Sequence, residues 1–212
     1  MDTQQEHLED IKQIRSLMER SSKFLTLSGF SGIFAGVAAL IGVAAAYWHL
    51  NVAFTDKAFY QLAKTSIGKL NSDFYNFLLI DVSLVLVSSL VVSFIMTFKK
   101  AKQKKQPIWD ATAKRLLINI LIPLFAGAAY CLILLYHGLL AFIAPATLLF
   151  YGLALLNASK YTLDYVRYLG IGQMLIGLFA AYFIEYGLLF WALGFGVLHI
   201  VYGIVMYIKL EK

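Results

Sequence analysis

The stretch DVSLVLVSSLVVSFIMTFKKAKQKK, residues 81–105, guides the interpretation of the whole chain. Its first part is rich in valine, which in water favours a β-strand. The apolar run is nevertheless long, and five lysines follow it within seven residues. Only a helix satisfies all of its own backbone hydrogen bonds in lipid, so lipid overrules the strand propensity. A long apolar run that ends in a basic cluster is typical of a transmembrane helix that stops at the cytoplasmic face.

The composition agrees with a membrane protein. Hydrophobic residues make up 60% of the chain and charged residues 14%, against roughly 45–50% and about 25% in soluble domains. The charged residues nearly vanish over long stretches, which a larger hydrophobic core would not explain. A net charge of +6 would suggest an anionic partner for a soluble protein. In a membrane protein the distribution of basic residues carries more information than their sum.

Six apolar segments are near or above the roughly 20 residues that a helix needs to cross the hydrocarbon core. We therefore predict an all-α integral membrane protein, with a six-transmembrane-helix bundle over residues 25–208. The predicted spans are approximately 25–49, 75–98, 115–136, 138–158, 165–185 and 188–208. Residues 1–24 and the tail 209–212 are predicted to lie outside the membrane.

The basic residues predict the orientation of the spans. Three of the 18 basic residues, Lys57, Lys64 and Lys69, lie in the predicted loop between the first two spans, and all the others lie on the opposite side. Basic residues in short loops accumulate on the cytoplasmic side. Both termini are therefore predicted to be cytoplasmic, in a multi-pass protein of the bacterial cytoplasmic (inner) membrane.

The lysine cluster is predicted to interact with the lipid bilayer. Its members are Lys99, Lys100, Lys102, Lys104 and Lys105. Basic clusters next to a span bind anionic head groups at the cytoplasmic face and help to fix topology. A regulatory lipid site at the same cluster is the alternative. No nucleic-acid partner is expected, because such a partner needs groove-fitting or stacking elements as well as charge.

Residues 3–24 are predicted to form an amphipathic cytoplasmic helix. TQQE at residues 3–6 is typical of a capping box, in which Thr3 and Glu6 satisfy backbone donors reciprocally. Apolar residues recur behind it at helical spacing. The helix would lie on the inner membrane surface or extend the first span. Alternatively, it docks a cytoplasmic protein partner or a second copy of the chain. The outer loop 50–74 is predicted to hold a short interfacial helix.

Small residues and prolines are expected to shape the bundle. Gly32 and Gly36 form a GxxxG motif in GIFAG, which predicts close helix packing, within the chain or in a homo-oligomer. Pro123 and Pro145 are expected to kink or loosen the third and fourth spans, because proline lacks a backbone N–H.

Polar groups at membrane depth are the best candidates for a functional site. Asp81 is about 9 Å from the outer end of its span, and Tyr130 lies at a similar depth. His199 is about 16 Å deep, near the level of Gln173 and Tyr151. We predict one polar layer from Asp81 and Tyr130 and a second from His199, Gln173 and Tyr151. One interpretation is that these groups form hydrogen bonds that fix helix packing, with Asp81 neutral because burial disfavours its charged form. The alternative is that they line a substrate or proton pathway.

The sequence contains no motif for a known catalytic or metal site. P-loop, HExxH, GxSxG and CxxC patterns are absent. We therefore predict no catalytic residue, metal ligand or cofactor, and we do not expect an enzyme. His7, His49, His137 and His199 are predicted at different depths, which does not suit one four-histidine iron centre. A haem held by His49 and His137 is the alternative.

The two ends of the bundle resemble a known kind of protein. The runs SSKFLTLSGFSGIFAGVAALIG (21–42) and GVLHIVYGIVMYIKLEK (196–212) resemble the ends of small bacterial six-helix inner-membrane proteins with no assigned activity. The resemblance implies the topology and no site residues. We expect an accessory, sensory or scaffolding membrane protein. The alternative is a small transporter or channel that uses Asp81 and His199.

Overall fold

The structure, a computed structural model, describes residues 28–51, 61–62, 71–103 and 108–210. These residues are almost all helical, and none of them forms a strand. The predicted N-terminal helix, most of the loop 50–74, Lys104, Lys105 and the last two residues lie outside the described ranges.

The described helices occupy the six predicted segments, with boundaries that differ by a few residues. They are α1 Gly29–Leu50, α2 Ser72–Gln103, α3 Ala111–Tyr136, α4 Ile143–Ala158, α5 Asp164–Tyr182, α6 Gly187–Trp191 and α7 His199–Leu210. Short 3-10 turns, Leu140–Phe142, Ser159–Tyr161 and Ile184–Tyr186, flank α4 and precede α6. A π-helical segment, Ala192–Leu198, joins α6 to α7, so the three form one continuous rod.

Five of the described rods are long and apolar enough to cross a membrane. They are Gly29–Leu50, Ser72–Gln103, Ala111–Tyr136, Leu140–Tyr161 and Ile184–Lys209. The remaining long helix, α5, has 19 residues, and Arg167 and Gln173 interrupt its apolar sequence. The prediction of an all-helical chain with several helices of membrane-spanning length is confirmed.

The helices pack in the order α2, α1, α7, α5, α4, α3. Among the described elements, α2 packs extensively only on α1, and α3 packs extensively only on α4 and the turns beside it. The helices α2 and α3 make no extensive contact with each other. The bundle therefore has a gap between α2 and α3.

The helices alternate in direction, which defines two ends of the bundle. Residues near the starts of α1, α3 and α5 line one cavity together with residues near the ends of α2 and α4 and with His199 and Tyr202, in the second half of the rod Ile184–Lys209. Lys99, Lys100 and Lys102 lie in the last turns of α2 at this end, which we call the lysine end. The opposite end, which we call the far end, holds the C-terminal ends of α1, α3 and α5.

Glycines let α1 and α7 approach closely. A Cβ on Gly36 would lie 2.5 Å from the Gly196 carbonyl oxygen, and a Cβ on Gly29 would lie 2.5 Å from that of Gly203. Gly32 faces Gly203 in the same way, with its Cβ position 3.2 Å from the Gly203 Cα. The GxxxG motif is therefore used inside the chain, and its face is not open to a second copy.

The two prolines differ in their effect. Pro123 lies inside α3, as expected of a residue that loosens this helix. Pro145 is the third residue of α4. The first four N–H groups of an α-helix have no intrahelical partner, so the missing N–H of Pro145 breaks no bond. Pro145 therefore lies in the first turn of α4, and the expectation that it kinks or loosens this span stays a prediction.

The outer surface is strongly apolar. On α2 only Phe74 and Ala101 are buried, although most of its side chains are large and hydrophobic. The three most exposed large hydrophobic side chains are Tyr136 (87%), Trp48 (85%) and Tyr182 (81%), and all three lie at the far end. Tryptophan and tyrosine form belts at membrane interfaces. A surface of this kind is typical of helices that contact lipid.

Candidate functional site

A cavity of about 180 Å³ lies at the gap between α2 and α3, toward the lysine end. We call it the α2–α3 cavity. No Lys, Arg, Asp or Glu is among the described residues that line it. Its polar lining consists of seven hydroxyl side chains and one imidazole, from Ser28, Ser31, Ser93, Thr97, Tyr151, Thr162, His199 and Tyr202. The polar groups of the cavity are therefore uncharged apart from any protonation of His199.

His199 is held by partners on both ring nitrogens. Its Nε2 is 3.0 Å from the Tyr151 hydroxyl oxygen. Its Nδ1 is 3.0 Å from the Gly194 carbonyl oxygen and 3.2 Å from Gln173 Nε2. Gln173 Nε2 also donates to the Gly194 carbonyl, at 2.9 Å. We call these four residues the His199 network. The structure thus brings together all three members of one predicted polar layer.

The π-helical segment and a glycine explain this geometry. Gly194 lies within the segment and His199 directly follows it. A π-helix has a wider turn than an α-helix, and single turns of it are frequent at functional sites. A Cβ on Gly194 would lie 2.6 Å from Gln173 Oε1. Glycine at this position therefore leaves room for the Gln173 amide beside the Gly194 carbonyl.

Both ring nitrogens of His199 have a hydrogen-bond partner in either tautomer of the neutral ring. When Nδ1 carries the proton, it donates to the Gly194 carbonyl, and Nε2 accepts from the Tyr151 hydroxyl. When Nε2 carries the proton, it donates to the Tyr151 oxygen, and Nδ1 accepts from the second N–H of Gln173. Tyr151 lines the cavity. Its hydroxyl can therefore present to the cavity a free lone pair in the first state and a proton in the second.

One group of the network is unsatisfied. The orientation of the Gln173 amide follows from its bond to Gly194, because the reversed amide would place two oxygens 2.9 Å apart. Gln173 is 0% exposed, and its Oε1 has no hydrogen-bond partner among the described residues. A buried acceptor without a partner costs roughly 1–3 kcal/mol. Such a group in a native protein calls for an explanation, and one explanation is a functional role of the network.

The other predicted layer does not form, because α2 and α3 do not pack together. Asp81 lies on α2 against α1, with its two carboxylate oxygens 3.2 and 3.3 Å from the position of a Cβ on Gly42. Tyr130 lies on α3, and its ring centroid is 5.7 Å from that of Phe150. The structure therefore gives Asp81 and Tyr130 separate neighbours. Asp81 is not among the residues that line the α2–α3 cavity.

The remaining histidines of the described ranges pack against aromatic rings. His49 stacks on Phe77 with 4.1 Å between centroids, and His137 meets the edge of Tyr136. The described residues contain no group of three or more His, Cys, Asp or Glu side chains that could hold a metal ion. The role of the lysine cluster as a lipid anchor stays a prediction.

The hydroxyl groups of the cavity were not predicted from the sequence. Ser93 and Thr97 are four residues apart on α2, and Ser28 and Ser31 are three apart at the start of α1. Such spacings place each pair on one helix face, and that pattern could have indicated a polar face toward the bundle. Neither a family model, nor a curated protein, nor a solved structure matches the chain.

Proposed function

We propose that the chain is a six-span protein of the bacterial cytoplasmic membrane with both termini inside. Five rods of sufficient length and apolarity support the membrane location. The distribution of the basic residues supports the orientation. Since α4 ends at the lysine end and the last rod starts at the far end, α5 has to cross between them, which supports a sixth span.

Within this topology we propose a sensory or accessory role without catalysis. The observation that carries the proposal is the position of the α2–α3 cavity. One wall belongs to α2, which packs extensively only on α1 among the described elements. The opposite wall contains Tyr151 and His199 of the network. A molecule in the cavity would therefore contact α2, which packs weakly, and also α4 and α7, which the His199 network holds together. Its presence would change the position of α2.

The lining indicates the chemistry of that molecule. An uncharged compound fits best, because no Lys, Arg, Asp or Glu of the described ranges lines the cavity. Tyr151 can act as donor or acceptor, depending on the tautomer of His199. A small molecule with a hydroxyl or carbonyl group would satisfy it in either state.

The length of α2 would carry a movement from the cavity to the lysine end of the bundle. With 32 residues, α2 is about 48 Å long, which exceeds the roughly 30 Å hydrocarbon core. Thr97 lines the cavity, and Lys100 follows it by one helical turn. A shift of α2 at the cavity would therefore move the lysines that face the head groups and any cytoplasmic partner.

A small transporter or channel that uses Asp81 and His199 is less well supported. Such a protein needs a route that joins the two residues. Among the described residues, the cavity beside His199 is lined without Asp81, which packs on Gly42 instead.

A distance measurement tests the sensory role. Spin labels are placed at positions 102 and 114, where the native lysines are exposed, after Cys131→Ala, in the full chain in lipid nanodiscs. Ser93→Phe fills the cavity from within and mimics an occupant. We expect it to shift the distance between the ends of α2 and α3. The control Leu90→Phe changes an exposed position of the same helix and should cause no shift. Equal distances in all three proteins would refute the role of α2.

A flux measurement distinguishes the transporter. The full chain is reconstituted in liposomes that contain a pH-sensitive dye, and a proton gradient is imposed. We expect the same proton leak as in protein-free liposomes. A faster flux that Asp81→Asn and His199→Gln both abolish would establish the transporter in place of the sensor.

A further inference from the structure

A second concave surface lies between α3 and α4. This groove has a volume of about 410 Å³ and is lined by Pro123, Phe150, Leu153, Leu156, Asn157 and Lys160. We call it the α3–α4 groove. Along α4 its lining changes in order from apolar side chains to an amide and then to an ammonium group at the lysine end.

The length of the groove matches one leaflet of a bilayer. Phe150 and Lys160 are ten residues apart along α4 and the turn that follows, which corresponds to about 15 Å. The hydrocarbon core of a bilayer is roughly 30 Å thick. From Phe150 to Lys160 the groove thus spans about half of the core, and its apolar part, from Phe150 to Leu156, covers about 9 Å of that length.

A proline creates the groove and fixes its polar end. Pro123 has no N–H, so the carbonyl of Asn119, four residues earlier, loses its intrahelical donor. Asn157 Nδ2 donates to this carbonyl at 3.0 Å and thereby joins α4 to α3. Closer to the far end, Gly127 meets Phe150, whose Cβ would lie 2.5 Å from a Cβ on Gly127. Two tight contacts therefore define the helix pair along the groove.

Two cations flank the polar end of the groove. Lys160 is exposed and lines the groove. Arg115 is exposed on α3, one turn before Asn119, whose side chain donates to the Arg115 carbonyl at 2.8 Å. Arg115 and Lys160 are thus each about one turn from the bond between Asn157 and Asn119, in the direction of the lysine end. The acid that precedes Arg115, Asp110, caps α3 by accepting from the Ala113 N–H.

We infer that the α3–α4 groove binds one anionic phospholipid of the leaflet at the lysine end. Its acyl chain lies along Phe150, Leu153 and Leu156, and its phosphate lies between Arg115 and Lys160. The charge of the two side chains, the apolar lining and the length of one leaflet all fit this occupant. The site is separate from the α2–α3 cavity, whose described lining is uncharged, and does not depend on the proposed sensory role.

Lipid binding by native mass spectrometry tests the site. The full chain in detergent is titrated with phosphatidylglycerol and, separately, with phosphatidylcholine. Each basic residue near an anionic surface contributes roughly a factor of five to affinity. We therefore expect Arg115→Gln with Lys160→Gln to lower phosphatidylglycerol affinity by up to about 30-fold while phosphatidylcholine binding changes little. Lys99→Gln with Lys102→Gln removes the same charge from α2 and should leave the tightest phosphatidylglycerol unaffected.

A groove variant tests the position of the acyl chain. Leu153→Trp fills the groove at a position that is 40% exposed, and should weaken the binding of both lipids. Wild-type protein without a preference for phosphatidylglycerol would overturn the inference. Undiminished binding by the Arg115 and Lys160 double variant would overturn it as well. A dimer that these variants dissociate, with the number of bound lipids unchanged, would show instead that the groove is an interface between two copies.

Discussion

The bond between Asn157 and the Asn119 carbonyl yields a prediction that depends on Pro123. Asn157→Leu keeps a side chain of similar size and removes the donor, which leaves the Asn119 carbonyl without its partner on α4. In a Pro123→Ala background the new backbone N–H at position 123 can bond to that carbonyl within α3. The same Asn157→Leu change should therefore matter much less there.

The magnitude follows from the cost of one interhelical bond. Such bonds in lipid average about 0.6 kcal/mol and reach about 1.7 kcal/mol. Because Asn157→Leu leaves a backbone acceptor unpaired, we expect a loss of about 1–1.5 kcal/mol in the free energy of unfolding with Pro123 present. With Pro123→Ala the loss should fall below about 0.5 kcal/mol. The coupling energy between the two positions is then about 1 kcal/mol.

A double-mutant cycle measures this coupling. The four proteins are unfolded with sodium dodecyl sulfate in mixed micelles without anionic phospholipid, and helix content is followed by circular dichroism. Thr147→Val is the matched control, because the Thr147 hydroxyl donates to the Ala144 carbonyl within α4 and not to α3. It should cost the same with and without Pro123→Ala. If Asn157→Leu lowers the free energy of unfolding equally in both backgrounds, Pro123 is not what leaves the Asn119 carbonyl free to accept from Asn157.

Three further predictions concern the bundle and the topology. Gly36→Ala should lower the free energy of unfolding by about 1–3 kcal/mol, because the new Cβ would lie 2.5 Å from the Gly196 carbonyl oxygen. The control is Gly172→Ala, whose Cβ would meet only the Leu198 side chain. In the same unfolding assay this control should be neutral or stabilising. Asp81→Asn should change stability by less than about 0.6 kcal/mol, since its carboxylate has no hydrogen bond among the described residues; a larger loss would indicate a partner. The orientation is tested with single cysteines in a Cys131→Ala background and a membrane-impermeant maleimide. A cysteine at Gln103 should be labelled from the cytoplasmic side and one at Asn51 from the outer side. Labelling from the opposite sides would contradict the orientation.

Depth in the bundle could be predicted from the sequence, because the rise along a helix is constant. Counting residues from the ends of the spans placed His199, Gln173 and Tyr151 at one level, and the structure brings these three side chains into one network. The same counting placed Asp81 level with Tyr130. Asp81 and Tyr130 nevertheless do not meet, because depth gives no information on which helices are neighbours.

Lateral neighbours and local backbone departures could not be predicted. Nothing in the apolar periodicity indicated that α2 and α3 would remain apart, or that Gly32 and Gly36 would face α7 instead of a second copy. The π-helical segment inserts a wider turn without a proline to signal it. Pro123 was visible as a helix breaker, but the position of its acceptor partner, Asn157, depends on the packing of α4. These features arise from tertiary contacts, which override local propensity.

The weak packing of α2 follows from its sequence and the physics of lipid. Helices in a bilayer associate through close backbone approach at small residues, because lipid removes the hydrophobic force between them. α2 contains no glycine, so it depends on a small residue of its neighbour. Gly42 of α1 supplies one, as Val85 and Asp81 lie against it. By contrast, glycines lie on both sides of two other interfaces, where Gly36 of α1 meets Gly196 of the π-helical segment and Gly152 of α4 meets Gly170 of α5. A molecule in the α2–α3 cavity would therefore act on the helix whose position is least determined by the rest of the bundle.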